Sequence, residues 1–179
     1  MVDQALLARQ KLLACDVDGV LTDGGITYAS GNLETKAFSI KDGLGIRLMH
    51  VVHFPVIWVA KRMSDAVTRR AAELNVVAYQ GSANKAALLR RVAEERGLAL
   101  AEITYIGDDV DDLPALRIVG LPVAVGDAVR AVRDAARYVT EIPGGYGAVR
   151  EVIELLLTAQ GRMEEAVAGY LAQVAPSEE

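Results

Sequence analysis

The constraint that reaches furthest along this chain is the apolar run Leu12-Leu13-Ala14-Cys15, which stops abruptly at two carboxylates, Asp16 and Asp18, with Gly19 after them. A short apolar run of this kind reads as a strand buried on both faces, the pattern of a parallel sheet, and open parallel sheets gather their ligands at the carboxyl ends of their strands. Gly19 lets the backbone turn sharply beside whatever binds there. Two carboxylates one residue apart repel when both are ionised, so the pair requires a shared proton or a divalent cation. Downstream, the segment Thr104-Tyr105-Ile106 repeats the pattern and ends in Gly107-Asp108-Asp109-Val110-Asp111-Asp112.

Between these clusters, strand and helix patterns alternate without a linker or repeat. Strands are predicted at 12–15, 56–59, 76–79, 103–106, 121–125 and 138–139. Helices are predicted at 43–52, 64–74, 82–96, 128–136 and 147–160, with Gly97 stopping the third and a further short helix over 163–174. The terminal Pro-Ser-Glu-Glu is expected to fray. Such alternation implies an α/β fold with a doubly wound parallel sheet. The segment 24–38 departs from it and reads as a β-hairpin turning at Gly31-Asn32. At 179 residues the chain is expected to form a single domain, with a tail over 161–179 and no room for a separate cap.

Composition narrows the function. The net charge of −5 argues against nucleic acid as a partner. No apolar stretch is long enough to span a bilayer and no secretory leader is evident, so the expectation is no membrane association and a cytoplasmic enzyme. The lone Cys15 reads as a small core residue rather than a reactive thiol, and His50 and His53 lack metal-ligand partners at useful spacing.

The two acid clusters, with Lys85 between them, resemble the haloacid dehalogenase superfamily of Mg²⁺-dependent phosphotransferases, whose first motif is Asp-x-Asp and whose last is a Gly-Asp-x-x-x-Asp-like run. The resemblance implies a Rossmann-like fold in which Asp16 attacks phosphorus and Asp18 protonates the leaving alkoxide and later activates water. It also implies Mg²⁺ held by Asp16, the backbone carbonyl of Asp18, and Asp108, since a hard cation prefers oxygen ligands. Asp109 and Asp112 are expected behind these ligands. Lys85, near a helix start after Gln80-Gly81-Ser82-Ala83-Asn84, is expected to meet the phosphate. A lone lysine in such a place is ordinarily a solvated surface residue, and its position between the acid motifs is what favours a role in the site.

Longer stretches narrow the resemblance. The segments 14–24, 36–46, 79–81 with 84–85, and 144–151 are similar to the family of capless 3-deoxy-D-manno-octulosonate 8-phosphate phosphatases, and the similarity covers nearly the whole chain. The family implies a homotetramer that removes phosphate from an eight-carbon sugar acid in lipopolysaccharide assembly. By the same resemblance Lys41, Asp42, Gly43, Arg47 and Arg70 are expected near the substrate, although solvated helix surface is the competing reading for Arg47 and Arg70. Arg62 is suited to hold a carboxylate bidentately. Two positions depart from the family pattern. Ala60-Lys61-Arg62 stands where Thr-Gly-Arg or Ser-Gly-Arg is usual, which removes a hydroxyl expected to bind the phosphoryl group, and Tyr146 stands where arginine is frequent.

Three functions follow as alternatives. The first is a small-molecule phosphatase, acting on the eight-carbon sugar acid or on a nine-carbon ulosonate phosphate. The second is a weakly active or noncatalytic relative, suggested by Ala60. The third is a phosphoryl-accepting receiver, against which Asp16-x-Asp18 speaks, because receivers accept phosphate on a strand other than the one bearing their acidic pair.

Overall fold

The run that ends in Asp16 forms β1 (Leu12–Asp16), every residue of which is buried. The structure is a computed structural model and describes residues 2–31 and 33–175. A hairpin follows, made of β2 (Thr27–Ala29) and β3 (Leu33–Thr35), and then the parallel strands β4 (Val56–Val59), β5 (Val77–Tyr79), β6 (Ile103–Gly107), β7 (Leu121–Ala124) and β8 (Tyr138–Val139). The six strands other than the hairpin form one parallel sheet in the order β5-β4-β1-β6-β7-β8.

Chain order reverses direction between β1 and β6, because β4 and β5 were laid to one side of β1 before β6 was laid on the other. A crevice opens at the carboxyl end of a sheet at such a switch point. The two strands that meet there are the two that end in acids. The expected α/β class and doubly wound sheet are therefore observed.

The helices are α1 (Gln4–Ala8), α2 (Ile40–Val51), α3 (Asp65–Glu73), α4 (Lys85–Arg96), α5 (Leu113–Leu116), α6 (Arg130–Ala135), α7 (Ala148–Ala159) and α8 (Met163–Val174). None of them is long and apolar enough to cross a membrane. Leu12, Leu13, Ile57, Trp58, Ile103 and Ile106 are fully enclosed in the sheet's core, and truncating any of the Leu or Ile residues to alanine would cost about 2–5 kcal/mol. Phe38 stacks on Trp58 at 6.0 Å, which ties the exit of the hairpin to β4.

Several boundaries differ from the sequence reading for local reasons. Helix α2 starts three residues earlier than expected because Ser39 accepts from the Asp42 amide, and Gly43 and Gly45 continue the helix rather than opening it. Helix α4 starts at Lys85 rather than Ser82, since the Ser82 amide is spent on Ala60 O and the Asn84 side chain caps the Ala87 amide at 2.9 Å. Gly97 stops it in the left-handed conformation, as expected. The short α1 and α5 carried no periodic signal. The hairpin lies at 27–35 within the expected segment; Asn32 of its turn, and the expected fraying at 176–179, lie outside the described residues.

Candidate active site

Asp16 is the last residue of β1, and its carboxylate points to Lys85, the first residue of α4. Lys85 Nζ donates to Asp16 Oδ1 at 2.8 Å and to Asp112 Oδ1 at 2.6 Å, and lies 3.6 Å from Asp111 Oδ2. Asp112 is fully buried in the single 3₁₀ turn (Val110–Asp112) that follows β6. It accepts from Tyr105 Oη at 2.6 Å and from the amides of Asp108 and Asp109 at 2.9 and 3.4 Å. Lys85 is thus anchored from beneath by a carboxylate that is itself saturated with donors.

Asp108 sits at the tip of β6 against Gly19, whose φ is +90°. A Cβ at position 19 would fall 2.0 Å from Asp108 Oδ2, so only glycine lets the two acid loops approach this closely. Asp16, Asp108 and Asp112 offer carboxylate oxygens that all lie within 4.8 Å of one another. Burial, then Asp112, push Asp108 up to about 7; the same two influences hold Asp16 well above the ordinary carboxylate range despite Lys85. Burial works against the Lys85 charge, but Asp16 and Asp112 outweigh it and keep the ammonium above the ordinary lysine value.

These residues floor a cleft of about 250 Å³ that is also lined by Asp18, Gly24, Lys61, Arg62, Asp109 and Asp111. Among its lining residues, carboxylates outnumber cations by two. Adding Asp112 from below and Glu34 with Lys36 from the hairpin keeps the formal charge of the site negative. Crowded acids with such an excess fit a hard divalent cation with oxygen ligands. Asp112 is committed to four donors, whereas none of the described residues donates to Asp16 Oδ2, so Asp16 and Asp108 are the carboxylates able to ligate.

The Asp18 side chain turns the other way. Lys36, whose side chain is fully enclosed, donates to Asp18 Oδ1 at 2.5 Å and lies 3.3 Å from Glu34 Oε1, while Arg62 Nη2 donates to Glu34 Oε2 at 2.5 Å. Glu34 and Lys36 share one face of the hairpin, and through them the hairpin is tied to both acid-bearing and base-bearing loops. Sequence reasoning missed Lys36, Glu34, Tyr105 and Asp111. The alternation Leu33-Glu34-Thr35-Lys36 carried a usable signal for the first two, since it places both charges on the same side of a strand.

The structure therefore brings Asp16, Asp18, Lys85, Asp108, Asp109 and Arg62 to one cleft, with Asp112 beneath it. It does not bring Lys41, Asp42, Gly43, Arg47 or Arg70 there. Asp42 is buried, and its Oδ1 accepts from the Arg150 amide at 2.7 Å at the start of α7. Arg70 lies over Gly43, where a Cβ would meet its guanidinium at 2.4 Å, and pairs with Glu73 at 3.0 Å. Arg47 lines a separate groove beside Tyr170, and Lys41 lies beside Gly147. Ala60 is buried and its amide donates to Tyr79 O at 2.8 Å.

Comparison with known proteins agrees with this geometry. A model of haloacid dehalogenase-like hydrolases matches residues 60–153. The chain is 44% identical over 157 residues to the 3-deoxy-D-manno-octulosonate 8-phosphate phosphatase of Salmonella typhi, covering 87% of this chain and 84% of that protein. It superposes on the Moraxella catarrhalis 3-deoxy-D-manno-octulosonate 8-phosphate phosphatase, solved with a magnesium ion, a phosphate ion and KDO, with a TM-score of 0.90 at 38% identity, covering 93% and 97% of the two chains. For the Yersinia pestis phosphatase of the same name the TM-score is 0.88 at 39% identity, with 90% and 88% covered.

Proposed function

The chain belongs to the haloacid dehalogenase-like hydrolases, within them to the 3-deoxy-D-manno-octulosonate 8-phosphate phosphatases, and from that membership we propose that it hydrolyses this phosphorylated sugar acid with Asp16 as nucleophile. The observation that carries the reading is the pairing of Asp16 with Lys85 at 2.8 Å where β1 and β6, the two acid-terminated strands, adjoin at the switch point. A carboxylate there has its charge offset by an ammonium and keeps a second oxygen without a donor.

In this reading Asp16 Oδ1, beside Lys85, attacks phosphorus and leaves Oδ2 for a metal, the ester P–O bond breaks, and Asp18 gives its proton to the departing alkoxide. Asp18 then takes a proton from water as that water attacks phosphorus of the aspartyl phosphate; the bond between phosphorus and the Asp16 oxygen breaks, which frees inorganic phosphate and restores the Asp16 carboxylate. Lys36 sets the direction of the Asp18 carboxylate for both transfers. Asp16 and Asp108, with the backbone carbonyl of Asp18, would hold Mg²⁺, which would supply charge neutralisation for the phosphoryl oxygens. Asp112 acts through Lys85, and Asp109 caps the turn that carries Asp112, accepting from the Val110 amide at 2.6 Å. Arg62, one arm on Glu34, is placed to receive the sugar carboxylate.

The chain acts as a single capless domain in the cytoplasm and assembles as a homotetramer. The open cleft and the exposed apolar residues of the hairpin, among them Tyr28 and Leu33, support the assembly. A neighbouring subunit over the cleft would exclude water and strengthen each charge contact within it.

Phosphate release from a panel containing 3-deoxy-D-manno-octulosonate 8-phosphate, nine-carbon ulosonate phosphates and a small aryl phosphate, with Mg²⁺ and with chelator, tests the reading. The eight-carbon substrate should be hydrolysed with the highest kcat/KM, and chelator should abolish turnover. Preference for a nine-carbon substrate would reassign the sugar, and chelator-resistant turnover would refute the metal site.

A further inference from the structure

We propose that Lys61 binds the transferring phosphoryl group in this chain, supplying the donor that residue 60 cannot; the inference rests on the phosphatase reading above. A phosphoryl group in transfer spreads negative charge over three equatorial oxygens, and each needs a donor or cation. The chain's own supply is short. Ala60 carries only a methyl group, and its amide is spent on Tyr79 O at 2.8 Å. Lys85 has three N–H donors; two are held by Asp16 and Asp112 at 2.8 and 2.6 Å, which leaves one. Arg62 is turned to Glu34 on the hairpin side.

Lys61 is differently placed. Its side chain is 60% exposed, it lines the same cleft as Asp16 and Lys85, and its nearest acid is Asp111 Oδ2 at 3.9 Å, too long for a hydrogen bond. None of the described residues takes any of its three donors, which leaves them for a ligand. The same Asp111 oxygen lies 3.6 Å from Lys85 Nζ, so both ammoniums flank one point of the cleft wall. The two ammonium nitrogens can be no further apart than those two distances together, a span that one tetrahedral anion hydrogen-bonded to each can bridge. Asp111 acts as the tether that keeps the flexible Lys61 side chain over the site before substrate arrives, a positioning role rather than a catalytic one.

The test compares wild type with Lys61→Ala, Lys61→Gly and the double variant Ala60→Thr/Lys61→Gly. Two quantities are read with Mg²⁺ present: kcat/KM for 3-deoxy-D-manno-octulosonate 8-phosphate, and binding of inorganic phosphate by calorimetry. Loss of a hydrogen bond from a charged group should lower both by roughly ten- to a hundredfold in the two single variants. Adding Ala60→Thr to Lys61→Gly should recover most of that loss, because it restores the hydroxyl that the family pattern assigns to the phosphoryl group. A merely structural lysine would not be rescued from the neighbouring position. Unchanged turnover and unchanged phosphate binding in Lys61→Ala would overturn the inference. Wild type that binds phosphate through Lys61 without hydrolysing any ester would uphold it and strike the proposed function instead.

Discussion

Asp16 and Asp42 are both buried carboxylates, and what separates them is the group that stands opposite. Asp16 faces an ammonium at 2.8 Å, whereas Asp42 faces amides at the start of α7 and has no hydrogen-bond partner for Oδ2 among the described residues. Burial, only partly offset by the Arg150 amide, Ser39 and neighbouring amides, pushes Asp42 from 3.8 up to about 6. A carboxyl raised on folding binds more protons in the native than in the unfolded chain between those two values. Its contribution to stability is therefore most favourable below about pH 4, declines as pH rises to about 6, and is flat above. Asp42→Asn keeps an acceptor for the Arg150 amide and removes the charge. Denaturant unfolding of both proteins between pH 4 and 7 should show wild type losing up to about 3 kcal/mol relative to the variant as pH rises, at 1.36 kcal/mol per pKa unit. A constant difference would mean that Asp42 titrates normally. Asp16 was legible because it ends an apolar run. The role of Asp42 was not, because its partner lies 108 residues away on another helix.

At the scale of elements, the strands and long helices could be read from periodicity, while the loops that shape the cleft could not. The Gly144-Gly145 segment before α7 packs backbone to backbone on the loop that follows Asp18. A Cβ on Gly144 would fall 1.8 Å from Gly19 O, and the Gly145 amide donates to Val20 O at 2.9 Å. Nothing in spacing alone reveals such a contact, since it joins residues more than a hundred positions apart. Because Gly19 in turn backs Asp108, a displacement at Gly144 is passed directly to the acid loops. Gly144→Ala should therefore lower kcat by at least tenfold and destabilise the protein by roughly 1–3 kcal/mol, as overpacking does. Parallel kinetics and thermal melting check this. Wild-type kcat would show that the β1 loop is held by other contacts. The hairpin illustrates the same limit: its strands were evident from alternation, but the bond from Lys36 to Asp18 depends on how the hairpin folds back over the sheet.

For the whole molecule, the switch-point topology sets the place of the cleft, and the openness of that cleft among the described residues is the ground for the proposed neighbouring subunit. Light scattering should report a particle of about four 19.1 kDa chains. Deleting the hairpin tip at Ser30-Gly31-Asn32 should impair turnover of the sugar phosphate more than that of a small aryl phosphate, since only the larger substrate reaches beyond the phosphate site. A fully active monomer would remove the basis for subunit closure. The class of fold and the acid motifs were legible because both are written in local runs of sequence. The expected tetramer came only through resemblance, because surfaces that meet between subunits leave no period in the chain, whereas the expectation of some closed oligomer also drew on the short hairpin and the lack of room for a cap. The central claim is that Asp16 is the nucleophile of an Mg²⁺-dependent phosphatase. It is tested most directly by measuring phosphate release from 3-deoxy-D-manno-octulosonate 8-phosphate by wild type and Asp16→Asn at saturating Mg²⁺. The account predicts rapid release by wild type and loss of at least a thousandfold, on the order of 4 kcal/mol in the barrier, in a folded variant; release by Asp16→Asn at the wild-type rate would contradict it.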